Sequence, residues 1–317
     1  MREQWRRHPP LEFPLATLGA LIQPVAPGRR VIDATPTEGG LANTNIRVRL
    51  DDGTSLLVRI PTRDPDGWTR EAALHRAMAG IAPRLLYAAG RSAIDRPVLI
   101  LEWIEGDRLE RVAPAMADAA LAVLARALGT SLAAIHALRF ATTGSLDAGL
   151  AVATPYAVGA AGLRAFLDRC LVRGRGGERL GAGLTQAILA LVAREGHRLD
   201  TALGSPCLVH ADFNASNILI RDGRVAAILD WEFAFAGDAL FDFANITRPP
   251  LGQRAGFAEG LAWGYRAAGG TLPEDWPRLA RLVDLYNWAD FLARPDPGQA
   301  LIGDATRMIA AVLDLFQ

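Results

Sequence analysis

The 317-residue chain contains no lysine, so all 34 of its basic residues are arginines. Codon bias in a GC-rich genome is sufficient to explain this pattern, but the absence still excludes several chemistries. P-loop ATPases need a lysine for the phosphates, and Schiff-base aldolases and pyridoxal enzymes need a lysine amine as the nucleophile. The chain therefore belongs to none of these classes.

Cysteines and long apolar runs are also scarce, and the formal net charge is zero. The two cysteines, Cys170 and Cys207, suit a reducing compartment better than a disulfide framework. The 34 acidic residues cancel the 34 basic ones, so the basic footprint of a nucleic-acid or anionic-membrane partner is missing. Polar residues interrupt the apolar stretch 118–138, and the N-terminus lacks the apolar core of a secretory signal. We expect a soluble, cytoplasmic protein that binds neither nucleic acid nor membranes.

Half of the residues are hydrophobic, enough for one large domain or two lobes. In the first part of the chain, the alternating segments 45–50 and 55–60 flank an Asp-Gly turn and predict a β-hairpin. Residues 68–79 have helical propensity, and residues 97–104 read as a buried strand. These elements predict a small β-rich N-lobe over residues 1–105.

Beyond residue 105 the pattern becomes mainly helical. Residues 115–138 and 182–202 are rich in Ala and Leu with polar residues at helical intervals. A Gly/Arg-rich connection at 169–183 lies between them, and the last 70 or so residues are again helical in pattern. The sequence therefore predicts a larger C-lobe over residues 106–317, and an α+β fold overall.

The segment 208–220, LVHADFNASNILI, places a polar core between two apolar runs. Phosphoryl transfer needs an acceptor for the proton of the attacking hydroxyl and oxygen ligands for magnesium. Asp212 heads the loop, Asn217 follows five residues later, and Asp230 closes the apolar strand VAAILD. These three side chains predict a catalytic base with a magnesium site beside it.

This loop, together with AAILDWEFAFAGDALFDFANI, resembles the aminoglycoside phosphotransferase and choline kinase superfamily, whose fold is protein-kinase-like and bilobal. The resemblance extends over residues 33–292. It implies that Asp212 is the catalytic base, that Asn217 and Asp230 bind Mg²⁺, and that Asp242 braces the catalytic loop. The ring of His210 braces the same loop in this family.

The resemblance also assigns roles in the first lobe. The segment 38–50, EGGLANTNIRVRL, is similar to the nucleotide-covering loop and first hairpin of the family. Arg59 stands where kinases carry the lysine of their third strand, with Glu71 as its ion-pair partner, and a guanidinium can grip phosphate in the same way. Gly39 and Gly40 either form a phosphate loop or simply make a hairpin turn, and Asn43 and Thr44 are candidate donors to the phosphates.

The stretch LILEWIEG resembles the kinase hinge. This implies that the backbone carbonyl of Glu102 and the amide of Ile104 bind the purine of ATP or GTP. The wording HAD replaces the commoner HGD of the family, and the added methyl group of Ala211 does not exclude activity.

Other acidic and aromatic residues have two interpretations. Glu232 either contributes to the magnesium shell or forms a plain salt bridge. Asp284, Trp288 and Asp290 lie in the helical stretch 282–294, where aromatic residues most often pack in the core. Alternatively, these three residues line an acceptor site suited to a cationic substrate.

The sequence predicts a Mg²⁺-dependent kinase that moves the γ-phosphate of ATP or GTP to a hydroxyl of a small molecule, as a monomer or homodimer. An aminoglycoside-like antibiotic or other natural product is the favoured acceptor, which implies antibiotic resistance. Choline, thiamine or an amino sugar is the alternative. Two readings from other classes stay open: a nucleotide-binding pseudokinase, and a metal hydrolase using His210 and Asp212.

Overall fold

The computed structural model describes residues 11–37, 43–62 and 64–317. The chain forms two compact units. The first holds the described residues up to Arg111 together with Asp147–Ala151 and Ser216–Glu232, and the second holds Val112–Leu146, Val152–Ala215 and Phe233–Gln317. The predicted division at residues 105 and 106 stays a prediction.

Twelve strands and twelve α-helices make up the regular structure of the described residues. The strands are β1 Val31–Pro36, β2 Thr44–Leu50, β3 Ser55–Ile60, β4 Leu85–Ala89, β5 Val98–Glu102, β6 Asp107–Arg108, β7 Gly144–Leu146, β8 Val152–Pro155, β9 Cys207–Val209, β10 Ile218–Arg221, β11 Arg224–Ile228 and β12 Phe235–Gly237. The helices are α1 Leu15–Ile22, α2 Trp68–Ala77, α3 Leu109–Val112, α4 Asp118–His136, α5 Gly159–Leu167, α6 Gly176–Leu180, α7 Ala182–Glu195, α8 His197–Ala202, α9 Leu240–Ile246, α10 Phe257–Ala267, α11 Trp276–Ala293 and α12 Gln299–Leu315.

The main sheet of the first unit is antiparallel, in the order β1-β2-β3-β5-β4. The β2–β3 hairpin has the predicted turn, in which Gly53 adopts a φ of +86° and the Thr54 amide donates to Asp52 Oδ1 at 2.9 Å. Residues on the two faces alternate, so Val58 and Ile60 enter the apolar core while Arg59 points to the other face. The hairpin therefore delivers one buried guanidinium to the opposite side of the sheet from the core.

A second sheet of the first unit pairs β11, β10 and β6. The β10–β11 hairpin closes through Asp222 and Gly223, whose φ values of +52° and +72° match the Asp-Gly turn that favours tight hairpins. Because Ile218 pairs with Ile228 at the open end, the residues just outside the hairpin are brought side by side. These residues include Asn217 and Asp230.

The second unit is mainly helical, with a small sheet in the order β8-β7-β12-β9. Helices α4 and α10 cross so closely that a Cβ at Gly129 would clash with the Leu261 carbonyl, and one at Gly264 would clash with the Arg126 carbonyl. Glycine is needed at both positions because backbone meets backbone there. This crossing builds the helical core behind β9.

Helix α4 is the one helix in the described residues that is long and apolar enough, by length and composition alone, to cross a membrane. The core helix of a soluble protein passes the same test, and half of the apolar stretch of α4 is buried inside the protein. Its last residue, His136, is buried among polar partners in the second unit.

The Gly/Arg-rich segment 169–183 differs from the predicted connection. Residues Asp168–Arg173 continue α5 as a π-helical turn, and α6 begins after two further residues, at Gly176. A Cβ at Gly176 or Gly177 would meet the backbone carbonyls of Cys170 or Leu171. The glycines here permit close packing between helical turns. A glycine-rich stretch looks the same in sequence whether it forms such a contact or a loop.

Candidate active site

In the first unit, Arg59 joins the strand β3 to helix α2 and to the end of the β10–β11 hairpin. Its Nε lies 2.5 Å from Glu71 Oε1, and its Nη1 donates to Asp230 Oδ1 at 2.8 Å and to Asn45 Oδ1 at 3.3 Å. Arg59 and Glu71 are only 3% and 4% exposed, so this is a buried ion pair. Its guanidinium contacts three oxygen-bearing side chains at once, in the fork geometry that distinguishes arginine from lysine.

Burial and neighbouring charges shift the titration of this cluster. Burial raises the pKa of Glu71 to about 7, against the opposing effect of the Arg59 guanidinium. Burial also lowers the pKa of His75 to about 4, although its hydrogen bond with the Pro83 carbonyl at 2.8 Å acts in the other direction. His75 is therefore neutral at pH 7 and donates from Nδ1 to that carbonyl.

Asn217 and Asp230 lie together at the open end of the β10–β11 hairpin. The Asn217 carbonyl accepts a hydrogen bond from the Leu229 amide at 2.7 Å, and Asp230 follows at once with a φ of +59°. A left-handed conformation at a non-glycine residue is costly and is kept only where surrounding contacts fix it. The ion pair with Arg59 is one such contact.

Glu232 is held in the same unit by Asn43 and Arg70. Asn43 Nδ2 donates to Glu232 Oε2 at 3.1 Å, while its Oδ1 accepts from the Thr62 amide at 3.0 Å. Arg70 Nη2 donates to the Glu232 carbonyl at 3.3 Å. The hydroxyl of Thr44 accepts from the Leu11 amide at 3.1 Å, so it too serves the local fold.

The two residues assigned to purine binding lie where strand β5 ends. Glu102 is its last residue, and its side chain accepts from the Arg84 amide at 2.8 Å. Ile104 lies two residues further, in a stretch without regular secondary structure. Most of the predicted nucleotide-covering loop, residues 38–42, lies outside the described residues.

In the second unit, the buried carboxylate of Asp242 holds the start of the loop that carries Asp212. Its Oδ2 accepts from the His210 amide at 2.8 Å, and its Oδ1 accepts from the Ala211 amide at 2.8 Å. Charge-assisted bonds of this kind are stronger than neutral ones. They orient two consecutive peptide groups directly before Asp212.

The loop itself is compact and polar. The Asp212 amide donates to His210 Nδ1 at 3.2 Å, which places the His210 proton on Nε2. Asn214 Nδ2 donates to Asp212 Oδ1 at 2.5 Å. Ala211 has a φ of +67°, in the left-handed region that glycine adopts more easily. Asp212 is half-buried, and its carboxylate orientation is fixed in part by Asn214.

Sequence reasoning missed three residues that surround Asp242. His136 Nε2 lies 3.1 Å from Asp242 Oδ2, and its Nδ1 lies 3.0 Å from the Tyr265 hydroxyl. Asn245 donates to the Ala211 carbonyl at 3.0 Å. Asn245 follows Asp242 by three residues and shares its helix face, a spacing that could have revealed it. The sequence alone gives no sign of this role for His136, because its partner Asp242 is 106 residues away.

The structure gives Asp284 and Trp288 a packing role. Asp284 is fully buried and accepts from Arg248, from Trp288 Nε1 at 2.8 Å and from Asn287 Nδ2 at 3.2 Å. The Arg248 guanidinium also stacks 4.5 Å from the Trp288 ring. The carboxylate predicted to meet a cationic substrate is thus already neutralised by an internal cation.

Asp290 is exposed, but Arg294 donates to it at 3.0 Å from the next helical turn. The predicted acidic acceptor surface is therefore matched by arginines on both of its carboxylates. Within residues 11–37, 43–62 and 64–317, no group of three or more His, Cys, Asp or Glu side chains is arranged to hold a metal ion.

The donor set of the first unit nevertheless fits the predicted ligands. Asp230 and Glu232 supply carboxylates and Asn217 an amide, which are groups that Mg²⁺ prefers when phosphates complete its shell. Glu71, Asp230 and Glu232 all act electrostatically on Arg59 and favour its charged form, against the opposing effect of burial. Arg59 Nη2 is buried without a hydrogen-bond partner among the described residues, and a phosphate oxygen would supply one.

The sequence model of the phosphotransferase enzyme family matches residues 33–282. The chain belongs to this family. The match covers most of the chain and includes every candidate site residue from Asn43 to Asp242, so the predicted resemblance is confirmed, as is the assignment to phosphotransferase enzymes.

Solved structures agree on the fold of this phosphotransferase. Macrolide 2'-phosphotransferase MphH from Brachybacterium faecium is 20% identical, with 93% of this chain and 97% of that chain covered and a TM-score of 0.67. A thermostable mutant of aminoglycoside phosphotransferase APH(4)-Ia, in ternary complex with ADP and hygromycin B, is 18% identical, with 93% and 96% covered and a TM-score of 0.67. At such identities the likeness shows the fold alone, and it confirms the predicted α+β, protein-kinase-like class.

Among curated proteins, hygromycin-B 4-O-kinase of Escherichia coli matches a short stretch. It is 49% identical over 39 residues, which is 12% of this chain and 11% of that protein. So short a match compares one segment of the two proteins, and leaves the substrate of this chain to be inferred from its own residues.

Proposed function

We propose that this protein transfers the γ-phosphate of ATP or GTP to a hydroxyl of a small molecule, with Mg²⁺ as cofactor. The observation that carries the proposal is the loop before Asp212, whose His210 and Ala211 amides are both held by the buried Asp242 carboxylate. Membership of the phosphotransferase family gives the class of reaction. The hydrogen bonds of the loop hold the Asp212 carboxylate in one orientation.

In this mechanism Asp212 orients the acceptor hydroxyl and takes its proton, and Asn214 keeps the carboxylate in place through its 2.5 Å hydrogen bond. A positioned general base contributes roughly 10²–10⁴ in rate. His210 Nδ1 accepts a hydrogen bond from the Asp212 amide, and this bond keeps the loop backbone folded beside the carboxylate.

The residues of the first unit serve the nucleotide. Asn217, Asp230 and, as an additional ligand, Glu232 would hold Mg²⁺, which neutralises charge on the phosphates when bound. Arg59, fixed by Glu71, would donate to a phosphate oxygen, and the backbone of Glu102 and Ile104 would meet the purine. Asn43 stays a candidate phosphate donor, although its amide already spans Glu232 and Thr62.

The acceptor is proposed to be an antibiotic or a related natural product, which would make the protein a resistance enzyme. Two solved neighbours of the same fold are antibiotic phosphotransferases, which supports this class. A cytoplasmic location is proposed with it, because both cysteines are free and buried and nucleotide is supplied there.

The decisive experiment compares the wild-type protein with Asp212→Asn and with the control Asp290→Asn. We expect the wild type and the control to form ADP or GDP with Mg²⁺ and an acceptor, and Asp212→Asn to lose at least 10²-fold in kcat while still binding nucleotide. Equal turnover by Asp212→Asn would remove Asp212 as the base. Nucleotide binding by all three proteins without any turnover would favour the pseudokinase alternative.

A further inference from the structure

Five aromatic side chains form a continuous row in the second unit. Successive ring centroids lie 6.1 Å apart for Tyr156 and Phe235, 5.1 Å for Phe235 and Phe241, 5.5 Å for Phe241 and Tyr286, and 4.9 Å for Tyr286 and Phe166. We call these five residues the aromatic row. Rings at these distances in tilted and edge-to-face arrangements support one another and form a rigid surface.

The aromatic row begins beside the loop that carries Asp212. Phe235 lies opposite Val209 in the β9–β12 pairing, and Val209 directly precedes His210. Phe241 directly precedes Asp242, whose carboxylate holds the His210 and Ala211 amides. Two members of the row are therefore fixed to the same scaffold as the proposed catalytic base.

The row is not core packing. Phe243 and Phe257 of the same unit are fully buried, whereas all five members of the row keep part of their surface exposed. Tyr156 is 47% exposed, and its neighbour Val158 is 45% exposed. Large apolar side chains that remain exposed together are a feature of binding surfaces.

Tyr286 adds a polar group with an unmade hydrogen bond. Its hydroxyl is buried and has no partner among the described residues, and burial raises the pKa of this phenol, so it remains a neutral donor. A buried polar group without a partner is uncommon in native proteins. Water or a ligand oxygen has to complete it.

The charges around the row do not suit a polycation. The Arg169 guanidinium stands 4.5 Å from the Phe166 ring at the end of the row, and Arg164 occupies Asp168 at 3.0 Å. Asp284 and Asp290, the carboxylates of the neighbouring helix α11, are paired with Arg248 and Arg294. A ligand with several ammonium groups would find these acids neutralised and an arginine nearby.

From this geometry we infer that the aromatic row is the acceptor-binding surface, and that the acceptor is a hydroxylated molecule with a broad apolar face and at most one positive charge. A glycoside of an aromatic or macrocyclic aglycone has this chemistry, whereas a polycationic aminoglycoside does not. This inference rests on the proposed function and specifies its substrate class.

The experiment measures ADP and GDP formation with two arms of acceptors. One arm contains aryl glucosides and macrolactone glycosides, and the other contains kanamycin and hygromycin B. We expect kcat/KM to be at least tenfold higher for the best apolar glycoside than for either polycation. A preference for the polycations, or nucleotide hydrolysis that no apolar glycoside stimulates, would overturn the inference.

Three variants connect the preference to the row. Tyr156→Ala and Phe241→Leu are expected to raise KM for the apolar glycoside at least fivefold. The control Trp263→Ala removes an aromatic side chain that is 59% exposed on α10, outside the row, and should change neither this KM nor acceptor-independent nucleotide hydrolysis. An unchanged KM in folded Tyr156→Ala protein would also overturn the inference.

The same data separate this inference from the proposed function. If the wild type neither hydrolyses nucleotide nor phosphorylates any acceptor, the proposed function itself has failed. If it is an active kinase with polycations, or its KM is insensitive to the row, only the inferred substrate class has failed.

Discussion

Arg59 and Asp230 are joined by a hydrogen bond of 2.8 Å between Nη1 and Oδ1, although 171 residues separate them in the chain. The same guanidinium lies 2.5 Å from Glu71. A lysine ammonium is a single point charge, whereas the guanidinium meets the two carboxylates through separate nitrogens of a planar group. In a chain without lysine, the arginine at this position therefore also ties the β10–β11 hairpin to the main sheet of its unit.

Removal of this buried cation should be costly. We expect Arg59→Met to lower the free energy of unfolding by about 3–5 kcal/mol, because it leaves Glu71 buried without a partner. Urea unfolding measures the change. Arg91→Met is the matched control, since Arg91 and Asp95 form an ion pair whose side chains are 85% and 74% exposed. Such a pair contributes about 0–1 kcal/mol, and equal losses in both variants would contradict the prediction.

The backbone at Ala211 should respond favourably to glycine. A left-handed conformation costs an L-residue about 1–2 kcal/mol, and the greater freedom of glycine in the unfolded chain offsets about 0.5–1 kcal/mol of that gain. We therefore expect Ala211→Gly to raise the free energy of unfolding by up to about 1 kcal/mol and to retain activity. Ala127→Gly, in the exposed face of α4, should instead lower it by about 1 kcal/mol. Thermal or urea unfolding measures the change in stability of each variant, and the two changes should have opposite signs. A loss of stability in both variants would be inconsistent with strain at Ala211.

His75 should make the protein sensitive to mild acid. Its folded pKa of about 4 lies below the usual 6.5, so the folded state binds fewer protons than the unfolded state between these values. The contribution of His75 to the free energy of unfolding is on the order of 3 kcal/mol in total. It is complete above pH 6.5 and is lost as the pH falls towards 4. Glu71 contributes with the opposite sign, because its folded pKa is raised to about 7 and its contribution is lost as the pH rises from 4.5 through 7.

The contribution of His75 is isolated by comparing pH profiles of stability. His75→Gln, which can still donate to the Pro83 carbonyl, should lose the part of the slope between pH 6.5 and 4 that the wild type shows. The exposed His197→Gln should keep it. Identical slopes in the wild type and His75→Gln would assign the acid sensitivity to other groups.

Asp284 should affect stability and leave acceptor binding unchanged. Asp284→Asn removes the charge that Arg248 meets in the interior, and we expect a loss of about 3–5 kcal/mol in the free energy of unfolding. At temperatures where the variant is folded, KM for the acceptor should stay within about twofold. Asp290→Asn, on the exposed face of the same helix, should change neither quantity appreciably. A raised KM without a loss of stability would return Asp284 to the acceptor site.

Local signals in the sequence predicted several elements well. The β2–β3 hairpin follows from alternation and an Asp-Gly turn, and α4 follows from helical periodicity; both depend on residues close in the chain. The segment 182–202 was predicted as one helix but forms α7 and α8, which Gly196 separates. Gly/Arg-rich residues 169–183 form helical turns, because whether a glycine serves flexibility or close packing depends on its distant neighbours.

The candidate site shows the same division. Asp212, Asn217 and Asp230 could be proposed from their spacing, and Asp242 from its motif, because each lies in a short recognisable segment. The partners of Asp242 and Asp284 could not, since His136 is at the end of the distant helix α4 and Arg248 lies just beyond the end of α9. An acid on a helix looks the same in sequence whether it faces water or a buried arginine.

By itself, the sequence determined the reaction class and the family, because oxygen-bearing side chains at fixed spacings and the absence of lysine restrict the chemistry that the chain can perform. Tertiary structure decided which charges remain available to a ligand. It paired the expected acidic residues with arginines and left a row of aromatic rings partly exposed beside the loop that carries Asp212. The reason is physical: a motif fixes which groups are present, but only packing fixes which of them are desolvated and paired.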